Sequence, residues 1–459
     1  MKTQRAWPAQ ELATMEDDPK TNTWPVRALV VTATALALLA LAAPQAFGAP
    51  RVSNPTADPW PTPPFAAWIK NDYGFVRARP THASKLLALL RLGDTVTVTG
   101  CAPSCDAARA WALVEPRGAV PMGQLRAGEP EETARHTGSQ ATYFYGRTPR
   151  GATPVFAKPD AKSKVIRKEK AEFRLAFVPN PYLGEQGWLQ RPDGGYMRKA
   201  DIKLFTPSTF AGQKDPEAPI AFVRRKVALR PTGEKRPPKD PAAVQWFARY
   251  DRMPMQAVRG DKVQVSGGWL PKGLVRIVSP VQRPKGVAQT DKWMHVDLGQ
   301  QVLAAYKGDQ MVFATLVSTG KSGRASTRTK TGTFELYGKT IHSSMRGKPW
   351  DDYYAEEVPF VMHYDGGRAL HGAYWHDQFG IEKSHGCINL SPADAAWLFA
   401  WTTPELPKGW HNVLPNNWDG PIVTVVVDSP RKRETTPLKL ADAGARSVAD
   451  AAAVPRSHR

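Results

Sequence analysis

Cysteine is scarce in this chain: 459 residues carry three, Cys101, Cys105 and Cys387. That excludes a small scaffold stapled by disulfides, and the odd number leaves one thiol over in any pairing scheme. Acidic residues are also short, 42 Asp+Glu against 62 Lys+Arg, for a formal charge of +20. Such a charge admits nucleic acid, an acidic membrane or an anionic polymer as partner, and charge alone does not choose. Long apolar runs are missing but for one, Ala28 to Ala43, shorter than the ~20 residues of a comfortable membrane-spanning helix. Against these shortages stand 42 Pro and 36 Gly, too much punctuation for an all-α protein, and 15 Trp within 42% hydrophobic residues, which excludes global disorder. The length points to roughly two to four domains.

The apolar run follows Arg27 and precedes the small residues Ala46, Gly48 and Ala49, so residues 1–49 read as an export signal cleaved near Gly48 or Ala49, or as an N-terminal anchor. The stretch before it is long and carries Glu16, Asp17 and Asp18, which makes Met15 an alternative start. No Cys follows the run closely, so a lipid anchor is not supported. Export removes nucleic acid as a partner, and a membrane partner requires an uncleaved segment. In an oxidising compartment Cys101 and Cys105 are close enough for a local disulfide, since a zinc site would need two further ligands. Cys387 is then the leftover thiol.

Residues 50–65 are a Pro-rich linker, and the polar stretches 127–141 and 206–219 are linkers too. They bracket a repeat. Val76-Arg-Ala-Arg-Pro80, Val155-Phe-Ala-Lys-Pro159 and Val227-Ala-Leu-Arg-Pro231 share one pattern, each followed by an apolar run, a Trp (Trp111, Trp188, Trp269) and a Gly (Gly118, Gly195, Gly273). This order of elements resembles bacterial SH3-like domains, over 66–126, 142–204 and, as a third repeat, 220–280. Each Trp is a core residue or a stacking platform.

From Lys292 the pattern changes to three strands separated by turns at Gly299 and Gly308, and a last apolar strand runs from Ile422 to Val427. One helix is signalled between them, with Ser391 as N-cap, Pro392 at its first position and Asp394 in the place of a capping-box Glu. The tail, 429–459, has little to bury and reads as disordered.

The leftover thiol lies among histidines beside a Gly-bearing turn. A thiol near pKa ~8.5 is mostly protonated at neutral pH, so a nucleophilic Cys387 needs a base, and His371 is the candidate. Gly386 permits a turn that presents the N–H groups of His385, Gly386 and Cys387 to an oxyanion. The helix beginning at Ser391 adds positive potential. His371-Gly372, eleven residues, then Ser384-His385-Gly386-Cys387-Ile388-Asn389 resembles the active-site motif of the L,D-transpeptidases, the YkuD-type enzymes of the bacterial cell wall. Thr329-Lys330-Thr331-Gly332-Thr333-Phe334 resembles a second stretch of that family, with Lys330 where the family has Pro.

The resemblance implies a mainly β protein whose residues 285–428 form a YkuD-like β-sandwich catalytic domain with one capped helix. It implies that Cys387 attacks the carbonyl between the third and fourth residues of a peptidoglycan stem tetrapeptide and releases D-alanine. The acceptor is an amine of a neighbouring stem, giving a 3-3 cross-link, a lysine of a cell-envelope protein, or water. By residue matching His371 is the base, His385 supports the oxyanion turn, Ser384 shapes it, the Gly372 carbonyl orients His371, and Asn389 braces the loop or meets a substrate carboxylate. Tyr364 and Trp375, with Trp350, Tyr353 and Tyr354, are candidates for a substrate wall or for core. No cofactor or metal is called for, because the spacing of His363, His371, His376 and His385 fits no zinc pattern. The rivals are a carboxypeptidase or endopeptidase with the same nucleophile, and a non-enzymatic wall-binding protein, against which the intact His371 and Cys387 weigh.

Overall fold

The computed structural model describes residues 60–232, 236–347 and 353–429. The export segment, most of the Pro-rich linker, Trp350 and the tail from residue 430 lie outside the described residues. What is described is mainly β-sheet with few helices, and no helix in it is long and apolar enough to cross a membrane.

The C-terminal region is two packed sheets. In one, Lys292–Asp297, Val302–Lys307 and Gln310–Leu316 follow one another antiparallel, and Thr424–Asp428 lies parallel to the first and antiparallel to Gly332–Glu335. The last strand thus begins at Thr424, and Ile422 packs on the core from outside the ladder. In the other, the long strand Tyr354–Asp365 pairs with Gly338–Arg346 and with Arg368–Gly372, which in turn pairs parallel with Ile388–Leu390. Met294, Val296, Leu303 and Val425 from one sheet meet Met362, Leu370, Ile388 and Leu390 from the other. Helix Pro392–Trp401 closes this core with Leu398 and Phe399.

That helix starts where its caps require. The Ser391 hydroxyl accepts from the Asp394 N–H at 3.1 Å and Pro392 holds the first position. The Asp394 carboxylate does more than stand in a capping box: it accepts from the Gly212 N–H at 2.7 Å and from the Thr315 hydroxyl.

Upstream, residues 65–127 build a seven-stranded sheet around Ile69, Val76, Leu87, Leu90 and Val98, with Cys101 and Cys105 joined by a disulfide. Residues 142–204 divide their strands. Four form a sheet of their own, whereas Phe144–Arg147, Arg174–Phe177 and Lys203–Leu204 extend the sheet of Tyr354–Asp365, with Arg174 opposite Ala355 in parallel pairing. Residues 220–278 form a five-stranded sheet and a two-stranded pair. Of the repeat tryptophans Trp111 is buried, and Trp188 and Trp269 are half-buried.

Two expectations change. The stretch 206–219 is not a free linker, because Gln213–Lys214 adds an edge strand to Gln310–Leu316. Nor is 127–141, where Glu132–Arg135 forms a helical turn and the Ser139 N–H donates to Asp94 at 2.6 Å. In both, backbone groups find partners in distant strands that composition does not reveal. The hairpins from Lys292 are buried on both faces, since Phe210, Ile220, Phe222 and Val278 pack onto their outer side at Trp293, Val302, Tyr306 and Leu316.

Candidate active site

Cys387 occupies the last position of a turn that feeds strand Ile388–Leu390. The turn is braced from within. Ser384 Oγ accepts from the Gly386 N–H at 3.1 Å and donates to the Cys387 carbonyl at 2.5 Å. Gly386 has φ +124°, a conformation that L side chains rarely adopt, so glycine is required there. The turn is also braced from outside: the Thr329 hydroxyl donates to the Gly386 carbonyl at 2.9 Å and accepts from the Gly320 N–H at 2.8 Å. A Cβ on Gly320 would stand 2.0 Å from the Thr327 carbonyl oxygen, so this approach too depends on glycine. Lys330, in the position where Pro was expected, reaches Asp365 at 3.5 Å, and Asp365 is held by Arg368 at 2.8 Å.

His371 stands on strand Arg368–Gly372, opposite Asn389, in the parallel pairing that also sets Leu370 opposite Ile388. Continued one rung, the register brings Cys387 level with Ala369, and Ala369 donates to the thiol through its backbone. Cys387 Sγ lies 4.0 Å from the Gly367 carbonyl oxygen. His371 Nδ1 is 3.2 Å from the Gly372 carbonyl oxygen. A proton on Nδ1 donated there leaves the Nε2 lone pair bare, the state a general base needs.

Electrostatics set both groups neutral at rest. Burial lowers the His371 pKa to about 4, with the Gly372 carbonyl pulling the other way. Burial raises the Cys387 thiol above its ordinary value, against the Ala369 N–H and the Arg368 charge. The resting pair is therefore thiol and imidazole, not thiolate and imidazolium.

The other sequence candidates fall into place around these two. Asn389 is buried, exchanges both backbone hydrogen bonds with Ser318 at 2.9 Å, and meets His376 Nε2 at 3.0 Å through its amide, so it braces the loop. His385 is exposed, with its ring stacked on Tyr353 at 4.6 Å. Tyr364 is buried edge-on to Phe334 at 5.3 Å and belongs to the core. Trp375 is half-buried, its ring 5.7 Å from that of His371. Gly372 is buried with Pro359 3.0 Å from where its Cβ would stand. Tyr354 packs between Phe173 and Arg346. The oxyanion set changes: the Gly386 N–H already donates to Ser384, so it is not free for substrate.

Four residues around the site were not picked out as part of it: Thr329, Arg368, His376 and Arg174. Thr329 lies inside the Thr329–Phe334 stretch, and from sequence His376 is a candidate only as a metal ligand. Arg368 follows a Gly-Gly turn that gives no chemical hint. Arg174 comes from the 142–204 segment, and its guanidinium lies 5.2 Å over the Trp375 ring. Among the described residues no three His, Cys, Asp or Glu side chains converge as a metal site would require.

A half-buried thiol on a glycine turn, with a neutral histidine two residues further along the adjoining strand, has the parts of a cysteine acyl-transfer site. Residues 291–427 match the model of the L,D-transpeptidase catalytic domain (YkuD), so this region is a YkuD-type domain. Similar solved structures include a mutant L,D-transpeptidase from Enterococcus faecium, at 22% identity over 33% of this chain and 55% of that one, with a TM-score of 0.25. The catalytic domain from the E. faecium enzyme is 26% identical over 30% of this chain and 98% of its own, with a TM-score of 0.24. An L,D-transpeptidase from Mycobacterium smegmatis is 19% identical over 50% of this chain and 89% of its own, with a TM-score of 0.25. The chain spans about half the length of the E. faecium mutant and of a second solved structure that it matches. No curated protein matches it.

Proposed function

We propose that the protein is an exported L,D-transpeptidase that acts on peptidoglycan stem tetrapeptides through a Cys387 acyl-enzyme. The observation that carries this reading is the match over residues 291–427 joined to the register that sets the Cys387 turn beside His371. As Sγ attacks the carbonyl between the third and fourth stem residues, the His371 Nε2 lone pair takes the thiol proton. The oxyanion forms against the Cys387 N–H, held in place by the Ser384 and Thr329 braces. The tetrahedral adduct collapses with the C–N bond breaking, and His371 returns the proton to the departing D-alanine amine. An amine then attacks the thioester, giving a 3-3 cross-link or a wall-attached protein and restoring the thiol. The upstream segments, read as SH3-like units, hold the enzyme to the wall.

Purified variants assayed for D-alanine release from tetrapeptide test the mechanism. Cys387→Ala is expected to have no turnover, and His371→Ala to lose at least the ~10²-fold typical of a general base. A Cys387→Ala enzyme that still releases D-alanine overturns the assignment. Because the His371 pKa is about 4, acylation should hold its rate down to acid pH and fall only as pH approaches 4.

A further inference from the structure

Arg174 differs from the other arginines that join upstream segments to the catalytic sheet. Arg91 is forked onto Glu357, at 3.3 and 2.9 Å, and Arg191 meets Glu356 at 2.8 Å. Among the described residues the Arg174 guanidinium has the Trp375 ring beneath it and neither an ion pair nor a hydrogen bond. Glu172, a carboxylate that acts on it, is itself paired with Arg147. Its backbone is fixed, since Arg174 is the residue opposite Ala355 where the two segments join in one sheet. The Trp375 ring that carries it lies 5.7 Å from the ring of His371. A guanidinium partly withdrawn from water, positioned by strand pairing and without an ion-pair partner of its own, is built to receive one.

We infer that Arg174 binds a carboxylate of the stem peptide and so makes the 142–204 segment part of the substrate site. The inference rests on the tetrapeptide reading above and adds a substrate-binding residue to it. A stem tetrapeptide offers a carboxylate on the leaving residue and, where its third residue is a diamino diacid, a second one on that side chain. Both suit a planar fork that accepts bidentate pairing. A cation–π contact with Trp375 leaves the in-plane N–H groups of the guanidinium pointing outward, available to an incoming anion.

The test measures kcat and KM for D-alanine or D-alanine-amide release by the full chain from three donors: the free tetrapeptide, one amidated at the C-terminal carboxylate, and one amidated at the third-residue side chain. The wild type should bind one amidated donor about 10- to 100-fold more weakly than the free donor, the range of a lost charge-assisted hydrogen bond. The donor affected identifies the carboxylate. Arg174→Ala should raise KM for the free donor by a similar factor with little change in kcat and should erase the discrimination, and Arg174→Lys should restore part of it. Wild-type enzyme that treats all three donors alike overturns the inference without relying on any variant. Unchanged KM in Arg174→Ala overturns it too. Wild-type enzyme that releases nothing from any donor overturns the tetrapeptide reading and this inference with it.

Discussion

The two outer sides of the catalytic sandwich are covered by different chemistry. On one side, adjacent carboxylates of strand Tyr354–Asp365 are each taken by a different upstream segment: Glu356 receives Arg191 and the Ala176 N–H, both at 2.8 Å, and Glu357 receives the Arg91 fork. On the other, residues 210–223 and 275–278 press Phe210, Phe222 and Val278 onto Trp293, Val302 and Tyr306, with Arg276 adding a hydrogen bond to the Gly380 carbonyl at 2.9 Å. Apolar burial is non-directional and tolerates small shifts. A forked ion pair is not tolerant, because its geometry must be met for the desolvated charges to be compensated. Glu357 itself holds φ +47°, a conformation an L residue keeps only where its surroundings fix it. The charged side is thus the one that sets register, and it is the side from which Arg174 reaches the site.

The sharpest break in this comparison is Glu356→Ala, which strands Arg191 in the interior and should cost about 3–5 kcal/mol in a denaturant titration. Glu356→Gln combined with Arg191→Met removes both charges together and should recover most of that loss. A loss below ~1 kcal/mol for the single change would place the clamp among surface ion pairs and undo the contrast.

Acid should also act on the charged side, through its buried histidines. His342 and His411 lie beside the Arg91–Glu357 pair, and the His411 Nε2 meets the His342 carbonyl at 2.7 Å. Burial lowers His342 to about 4. The unfolded chain takes up this proton near pH 6.5 while the folded chain refuses it, so stability falls as pH drops from 6.5 towards 4 and levels below that. For His342 the loss is on the order of 3 kcal/mol. Melting temperatures across pH 4–7 for wild type and His342→Gln check it, and parallel curves would remove His342 as the cause.

The smallest effect belongs to the apolar side. Phe222→Leu keeps most of the buried surface and should cost about 1–1.5 kcal/mol in a thermal melt, with kcat/KM unchanged. A large fall in kcat/KM would show that the apolar side also positions the site.

Legibility in the sequence followed the range of the interactions. The catalytic helix was readable from Ser391 and Pro392, the hairpins from their turns, and the Cys387 turn from Gly386, because caps, turns and φ requirements are local. The docking of 206–219 was not, since the hydrogen bond between Gly212 and Asp394 joins residues 182 apart in sequence. Arg174 was invisible for the same reason: nothing around it marks a strand whose partner begins at Tyr354. The engaged Gly386 N–H escaped a reading of residue types, because glycine and serine at that spacing fit either a free donor or a braced one.

The Asp394 carboxylate has a further consequence for the order in which the molecule completes itself. Gly212 and the Thr315 hydroxyl both leave the ribosome before Asp394 does, so the edge strand at Gln213 and the strand beside it emerge with donors whose folded-state acceptor comes later in the chain. Loop closure over such a span costs little more than over a short one. What it imposes is sequence in time: the link between the last upstream connection and the helix after Cys387 cannot form until Asp394 has emerged, so a nascent chain stopped before it holds every upstream segment without a finished catalytic domain.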